Sequence, residues 1–365
     1  MSGKQFLENP GKGYLVGGKY ELINIAGTGG MATVWRAETV GDLGFRRVVA
    51  VKQMHAHLAE QQVYVDMFVE EARVGAELHD PNIPQIHDFV ADDTGYYIVM
   101  EYVDGVDLGG LIRVSARTER CSWEMVAAIG LGMLRALATA HERKNTNGAI
   151  VPIVHRDVSP HNVLLTPAGQ IKLIDFGLAL TRDRKRETTE PGLVKGKMSY
   201  LAPEIVMGKR PTPESDQFAV GSTLWEALVG RKLFDGGDDM EVYRKLRDGE
   251  IQPLKPQRPD VPRALVKVID RALSHSPKKR YPDVRAMGAA LGQSLKQARS
   301  SKTNLHTALG SAVMDARERL HLGERTGDPS TMTPVEEITP PVGIQRAVVD
   351  KKKRGLRHWL PFFKR

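Results

Sequence analysis

Between residues 19 and 55 apolar and polar positions alternate and are interrupted by glycine-rich breaks. YELINIAG (20–27), ATVWRAET (32–39) and RRVVAVKQM (46–54) therefore predict three consecutive antiparallel strands. The period then lengthens. Over 60–79, Val63, Met67, Val69 and Val74 recur among polar residues, which predicts a helix. HDPNIPQIHDFV (79–90) and GYYIVMEYV (95–103) return to strand patterning, and 122–142 is a strongly apolar helical stretch. NVLLTP and QIKLIDFG are short β segments, and beyond about residue 203 helical periodicity dominates between loops rich in Pro and Gly. The pattern implies an α+β chain: a small β-rich lobe (about 19–103) hinged to a larger helical lobe (about 104–296). Leu305, Ala308, Leu309, Ala312, Val313, Ala316 and Leu320 step by three and four, so the stretch 297–322 carries an amphipathic helix over 303–321. Residues 1–18 form an N-terminal segment, 323–345 a Pro/Thr-rich linker expected to be disordered, and 346–365 a basic, aromatic tail; no internal repeat is found.

Composition alters this picture little. Hydrophobic residues make up 41% and charged residues 26%, the balance of a soluble globular protein. A single cysteine, Cys121, excludes an intramolecular disulfide and fits a reducing, cytoplasmic compartment. The start, MSGKQFLENPGKG, has no apolar core behind a basic beginning and does not read as a secretory signal. The longest nearly apolar run, MVAAIGLGML (125–134), is ended by Arg135; it is too short to span a bilayer and reads as a buried helix. Charge is more informative. The tail holds eight Lys and Arg against Asp350 alone, +7 of the chain's +8, so the folded body is near neutral and gives nucleic acid no footing. Trp359, Leu360, Phe362 and Phe363 beside that charge suit an anionic membrane surface or a protein partner.

Candidate chemistry begins at AGTGGMATV (26–34), between two predicted strands. Glycines there let backbone N–H groups approach a polyphosphate. A strand follows rather than a helix, which argues against a dinucleotide-binding turn of the Rossmann type. Lys52, inside VAVKQM, has apolar neighbours on a half-buried strand and needs an anionic partner. Glu71 on the next helix is the preferred partner, with Glu70 as rival. HRDVSPHN (155–162) sets Asp157 in a loop five residues before Asn162, and DFG (175–177) follows an apolar strand. Transfer of a terminal phosphoryl group needs a proton acceptor for the incoming hydroxyl and cations to neutralise the triphosphate. Asp157 fits the first role; Asn162 and Asp175 supply hard oxygen ligands for Mg²⁺.

The ordered set AGTGGMATV, VAVK, an acidic helix, EYV, HRDVSPHN, DFG and LAPE resembles the bacterial eukaryotic-like serine/threonine protein kinases over roughly residues 19–296. The resemblance implies a bilobal protein-kinase-like fold and ATP- and Mg²⁺-dependent transfer (Mn²⁺ substituting) of the γ-phosphate to Ser/Thr hydroxyls of proteins, with autophosphorylation through a homodimer. It implies that Gly27 and Gly29 lie over the phosphates, that Lys52, paired with Glu71, holds the α- and β-phosphates, and that Met100 borders the adenine. Glu101 and Val103 would offer hinge backbone groups, and Ala26, Thr28, Gly30, Val34, Ala50 and Leu164 complete the nucleotide site. Glu204 would pair with Arg280, Asp216 would brace the catalytic loop, and Arg156 would receive a phosphate carried by Thr188 or Thr189.

Three features depart from the family pattern. Ala32 replaces the third glycine; RKNTNGAIVPI (143–153) is longer than the usual link, with Asn147–Gly148 marking a surface turn. Ser159 stands where most members have lysine, and Lys197 where they have threonine. Those positions are neighbours in the family fold, so the cation has moved to the substrate loop and Ser159 supplies the displaced hydroxyl. The rival readings are a pseudokinase scaffold, a small-molecule phosphotransferase and a tyrosine kinase. Retention of Lys52, Glu71, Asp157, Asn162 and Asp175 argues against the first, and the LAPE segment against the second; YLAPE lacks the proline and tryptophan expected of the third.

Overall fold

The computed structural model describes residues 10–117, 120–176, 198–236, 238–298 and 304–326, of which 322–326 are described by backbone alone. Thr188, Thr189, Lys197, Gly177 of the DFG motif, the stretch 327–345 and the tail 346–365 lie outside the described residues.

Six strands build the first lobe: β1 (Leu15–Val16), β2 (Tyr20–Thr28), β3 (Ala32–Thr39), β4 (Val48–Met54), β5 (Ile86–Asp92) and β6 (Gly95–Glu101), all antiparallel in the order β1-β2-β3-β4-β6-β5. Their two-residue alternation sorts the apolar side chains by face. Tyr20, Leu22, Trp35, Ala37, Val49, Val51, Tyr97 and Val99 pack on one side. Ala32, Met54 and Ile98 pack on the other, against α1 (Ala56–Ala59) and α2 (Gln62–Glu77). The sheet twists until its two edges approach, so that the Tyr20 hydroxyl donates to Asp88 Oδ2 at 2.8 Å and the Gly17 amide to Asp92 Oδ2 at 3.3 Å.

The periodicity needs several corrections. The helix expected over 60–79 is α2, Gln62–Glu77, and a separate short turn of helix, α1, precedes it because Gln61 is extended (φ −110°, ψ 108°) between the two. The strand expected from 79 starts at Ile86. Pro81 and Pro84 cannot donate to a ladder, and the loop instead turns to the second lobe, where Asn82 O accepts from the Leu173 amide at 2.8 Å. The third strand begins at Val48 rather than Arg46. Residues 14–18, read as a mere terminal segment, contribute β1 and the fully buried Val16.

The second lobe holds a small sheet of β7 (Val106–Asp107), β8 (Val163–Leu165) and β9 (Ile171–Leu173). Its helices are α3 (Leu108–Ser115), α4 (Trp123–His141), α5 (Pro203–Val206), α6 (Pro213–Val229), α7 (Asp239–Asp248), α8 (Leu254–Gln257), α9 (Arg263–Ala272), α10 (Val284–Ala298) and α11 (Leu305–Thr326). α6 is buried on all sides and forms the axis of the lobe; a Thr212–Ser215 capping box opens it and Gly230 closes it in the left-handed conformation. α4 is long and apolar enough, by length and composition, to cross a membrane. Val126, Ile129, Met133 and Leu137 are nevertheless buried in the common core with Leu224 and Leu291, as expected for a core helix. The 143–153 excursion is a small hairpin: Lys144 bridges Ile150, and Gly148 takes φ +78°. The amphipathic helix expected over 303–321 runs over 305–326, because Asn304 Oδ1 accepts from the His306 amide at its start and no proline follows before Pro329. Residues 323–326 are thus helix rather than linker.

Candidate active site

Strand register builds the roof of the site. Gly27 lies opposite Val34, Val34 opposite Lys52, Lys52 opposite Ile98, and Ala50 opposite Met100. With side chains alternating, these positions share one face of the sheet. Gly27, Gly29 and Gly30 all have φ outside the left-handed region, and a Cβ on Gly27 or Gly30 would meet nothing within 4 Å. The fold does not require glycine there, so bare backbone beside Lys52 is room for a phosphate chain. Ala32 also avoids positive φ, so replacing the third glycine strains nothing.

Lys52 is the meeting point of the lobes. Its ammonium donates to Glu71 Oε1 at 2.6 Å and to Asp175 Oδ1 at 2.9 Å. Glu70 is taken by Arg73 at 2.6 Å, which separates the two glutamates that the sequence left in competition. Burial pushes the Lys52 ammonium down, but the charges of Asp175 and Glu71 outweigh it and raise the group above the ordinary lysine value. Asp175 itself is held at φ +55°, a strained conformation for a residue with a Cβ.

Below this point Asp216, on α6 and 1% exposed, organises the catalytic loop. Its Oδ2 accepts from the His155 amide and from His141 Nε2, both at 2.8 Å, and its Oδ1 from the Arg156 amide at 3.0 Å. Those bonds hold Arg156 at φ +70°. Its guanidinium Nε is buried without a partner among the described residues. Asn162 Nδ2 donates to Asp157 O at 2.7 Å and Asp157 Oδ2 at 2.9 Å, so the Asn162 carbonyl oxygen faces the other way. His155 packs at a tilt against Phe176, with ring centroids 4.5 Å apart; its Nε2 donates to Ile174 O and its Nδ1 accepts from the Asp157 amide. Burial lowers its pKa, which suits a neutral imidazole with both nitrogens used. Ser159 is buried at the start of the turn that carries Asn162.

At the hinge the Glu101 amide is already bonded to Gln85 O at 2.8 Å. Leu164 pairs with Asp107 on one side and Lys172 on the other, forming the floor. Sequence reasoning missed Lys172, which is buried in β9 and donates to Glu101 Oε2 at 2.7 Å. The signal was available, since it is a lysine between apolar strand neighbours like Lys52. His141 and His155 were also missed; nothing but proximity to Asp216 marks them. Farther off, Arg280 and Glu204 form a bidentate buried pair at 2.6 and 2.8 Å. Among the described residues no group of three or more His, Cys, Asp and Glu could hold a metal. Asn162 and Asp175 fit instead the sparse oxygen set that suffices for a hard divalent ion bound along with phosphate.

A glycine-lined strand pair, a lysine shared by two carboxylates and a braced Asp/Asn loop thus come together between the two lobes. The chain belongs to the protein kinase domain family, whose model matches residues 20–289. That family uses ATP and a divalent metal. The chain is 38% identical over 275 residues to a protein of Myxococcus xanthus called tyrosine-protein kinase MasK, 34% over 277 residues to serine/threonine-protein kinase PrkC of Bacillus subtilis, and 33% over 279 residues to serine/threonine-protein kinase PknA of Mycobacterium tuberculosis. These alignments cover 75%, 76% and 75% of the chain but only 42%, 40% and 60% of the relatives. The crystal structure of the Mycobacterium tuberculosis PknI kinase domain matches with a TM-score of 0.57 at 26% identity, covering 78% of the chain and 99% of that domain.

Proposed function

We propose that the chain is a serine/threonine protein kinase that transfers the γ-phosphate of ATP to protein hydroxyls with Mg²⁺ bound. The observation that carries this reading is the single junction at which Lys52 holds Glu71 and Asp175 while Asn162 holds Asp157. Lys52, kept charged, turns its donors to phosphate oxygens; Asp157, steadied by Asn162, accepts the proton of the attacking hydroxyl. Asn162 and Asp175 would hold a divalent cation, which when bound would supply charge neutralisation on the transferred group. Ser159 and Lys197 keep a second positive charge near that group by the exchange argued above, and Thr188 or Thr189 is phosphorylated between copies, opposite Arg156. The basic, aromatic composition of residues 346–365 suits contact with an anionic membrane surface or with a protein partner.

The 38% identity to a relative called a tyrosine kinase supports a second reading, in which the acceptor is tyrosine. One assay separates the two: incubation with labelled ATP and Mg²⁺ followed by phosphoamino-acid analysis. Wild type yields phosphoserine and phosphothreonine, and Asp157→Asn falls at least about a thousandfold, the scale of losing a catalytic base along with its positioning. Phosphotyrosine alone would establish the second reading, and equal labelling of both proteins would remove Asp157 from the chemistry. In the same assay Lys197→Thr loses about tenfold or more if the cation exchange is right.

A further inference from the structure

The family match ends at residue 289, yet α11 lies beyond it and buries one face in the core of the second lobe. Leu309, Val313 and Ala316 are 0–2% exposed. The helix starts against the β8–β9 turn, where His306 Nδ1 donates to Gly169 O at 3.1 Å. Two glycines meet at that crossing. A Cβ on Gly310 would lie 2.1 Å from Pro167 O, and one on Gly169, already at φ +75°, 2.3 Å from His306 O. The backbones touch there with no side chain between them, a contact available to only one docking position.

The far end reaches the hinge. Arg317 Nη2 donates to Asp104 Oδ1 at 2.5 Å, and Leu320 packs at Gly110, in the first turn of α3. Asp104 directly follows Val103, and Asp107 caps α3 by accepting from the Gly110 amide at 2.7 Å. The short strand β7, between them, pairs with the floor strand β8. The segment from the hinge to α3 is thus held by the floor strand and also by α11.

We propose that α11 is a brace for the nucleotide site, fixing the hinge in its binding geometry, and that Arg317 is a positioning residue acting through Asp104. This rests on the reading that ATP binds between the lobes. A hinge loop ordered only on binding would have its ordering entropy subtracted from affinity; a seated α11 removes that cost beforehand. The brace therefore acts on nucleotide affinity and KM rather than on kcat. The Arg317–Asp104 pair is 32% and 67% exposed, so alone it contributes little, and the packed face of the helix does most.

The test uses the full chain and calorimetric binding of ADP, with KM for ATP and kcat alongside. Gly310→Val, which drives a side chain into Pro167 O, raises Kd and KM about tenfold while kcat at saturating ATP moves much less. Arg317→Ala raises them about twofold to fivefold, Arg317→Lys restores most of the loss, and Asp104→Ala adds nothing once Arg317 is gone. Unchanged nucleotide affinity in a Gly310→Val protein whose α11 has lost hydrogen-exchange protection overturns the proposal. So does a kcat that rises at constant Kd, which would make α11 a restraint. If Gly310→Val does not fold, the ion-pair cycle decides, and additive effects of Arg317→Ala and Asp104→Ala overturn the assignment. A wild type that binds no ADP defeats the functional reading as well; a wild type that binds, with unaffected variants, defeats the brace alone.

Discussion

At the scale of single residues, the site depends on groups whose charge state is set by burial and neighbours. His155 shows the sign. Its ring is neutral in the folded protein, because both nitrogens are committed and burial lowers its pKa from 6.5. The unfolded chain binds a proton there near 6.5 and the folded chain does not, so stability is lost as pH falls through and below that value. Urea denaturation at pH 7.5 and 5.5 reads this as a falling midpoint. His55 and His87, whose pKa values are also lowered mainly by burial, act in the same direction. His155→Leu flattens the slope by its own share, and an unchanged slope would show that His155 titrates normally. The residues that carry the chemistry were legible because their types and order admit few alternatives: Lys52 within an apolar strand, and Asp157 five places before Asn162. The choice of Glu71 over Glu70 became certain only when Arg73 was seen to occupy Glu70. The Lys172–Glu101 bond joins residues 71 positions apart, and no local pattern announces a contact of that range.

At the scale of elements, periodicity tells which face of a segment is apolar and not what that face will meet. The stripe on α11 was readable from its steps of three and four; its seat across β7, β8 and α3 was not. The loop at 79–85 misled for a related reason, since its apolar residues serve the second lobe instead of a strand pair. Links between elements can also be buried charges. Arg280, with a side chain 0% exposed, fastens α5 through Glu204 and also donates to Ser274 O and Glu214 O. Arg280→Ala leaves the Glu204 carboxylate buried and unpaired and costs about 3–5 kcal/mol, measurable in the denaturation midpoint. Arg280→Lys recovers only part, because an ammonium cannot reproduce the bidentate geometry. A loss under about 1 kcal/mol would mean that water replaces the arginine.

For the whole molecule, the two-lobe plan follows from where the two-residue period gives way to the helical one, and the sequence shows that change near the hinge. What it shows less well is where the folding unit stops. The family model starts at residue 20, but Val16 is 0% exposed in the sheet core and β1 covers the outer edge of β2 at its first residues, Tyr20 and Glu21. A chain beginning at Tyr20 forfeits about 1.5–3 kcal/mol from that one valine, read as an earlier thermal midpoint; an unshifted midpoint would count β1 as ornament. The consequence reaches beyond stability. With β1 gone, the outer backbone groups at the start of β2, around Tyr20 and Glu21, stand open to any extended peptide, including the same strand of another molecule. A trimmed version prepared for study would then associate through a seam that the intact chain keeps closed, and such a dimer would be a product of the trimming.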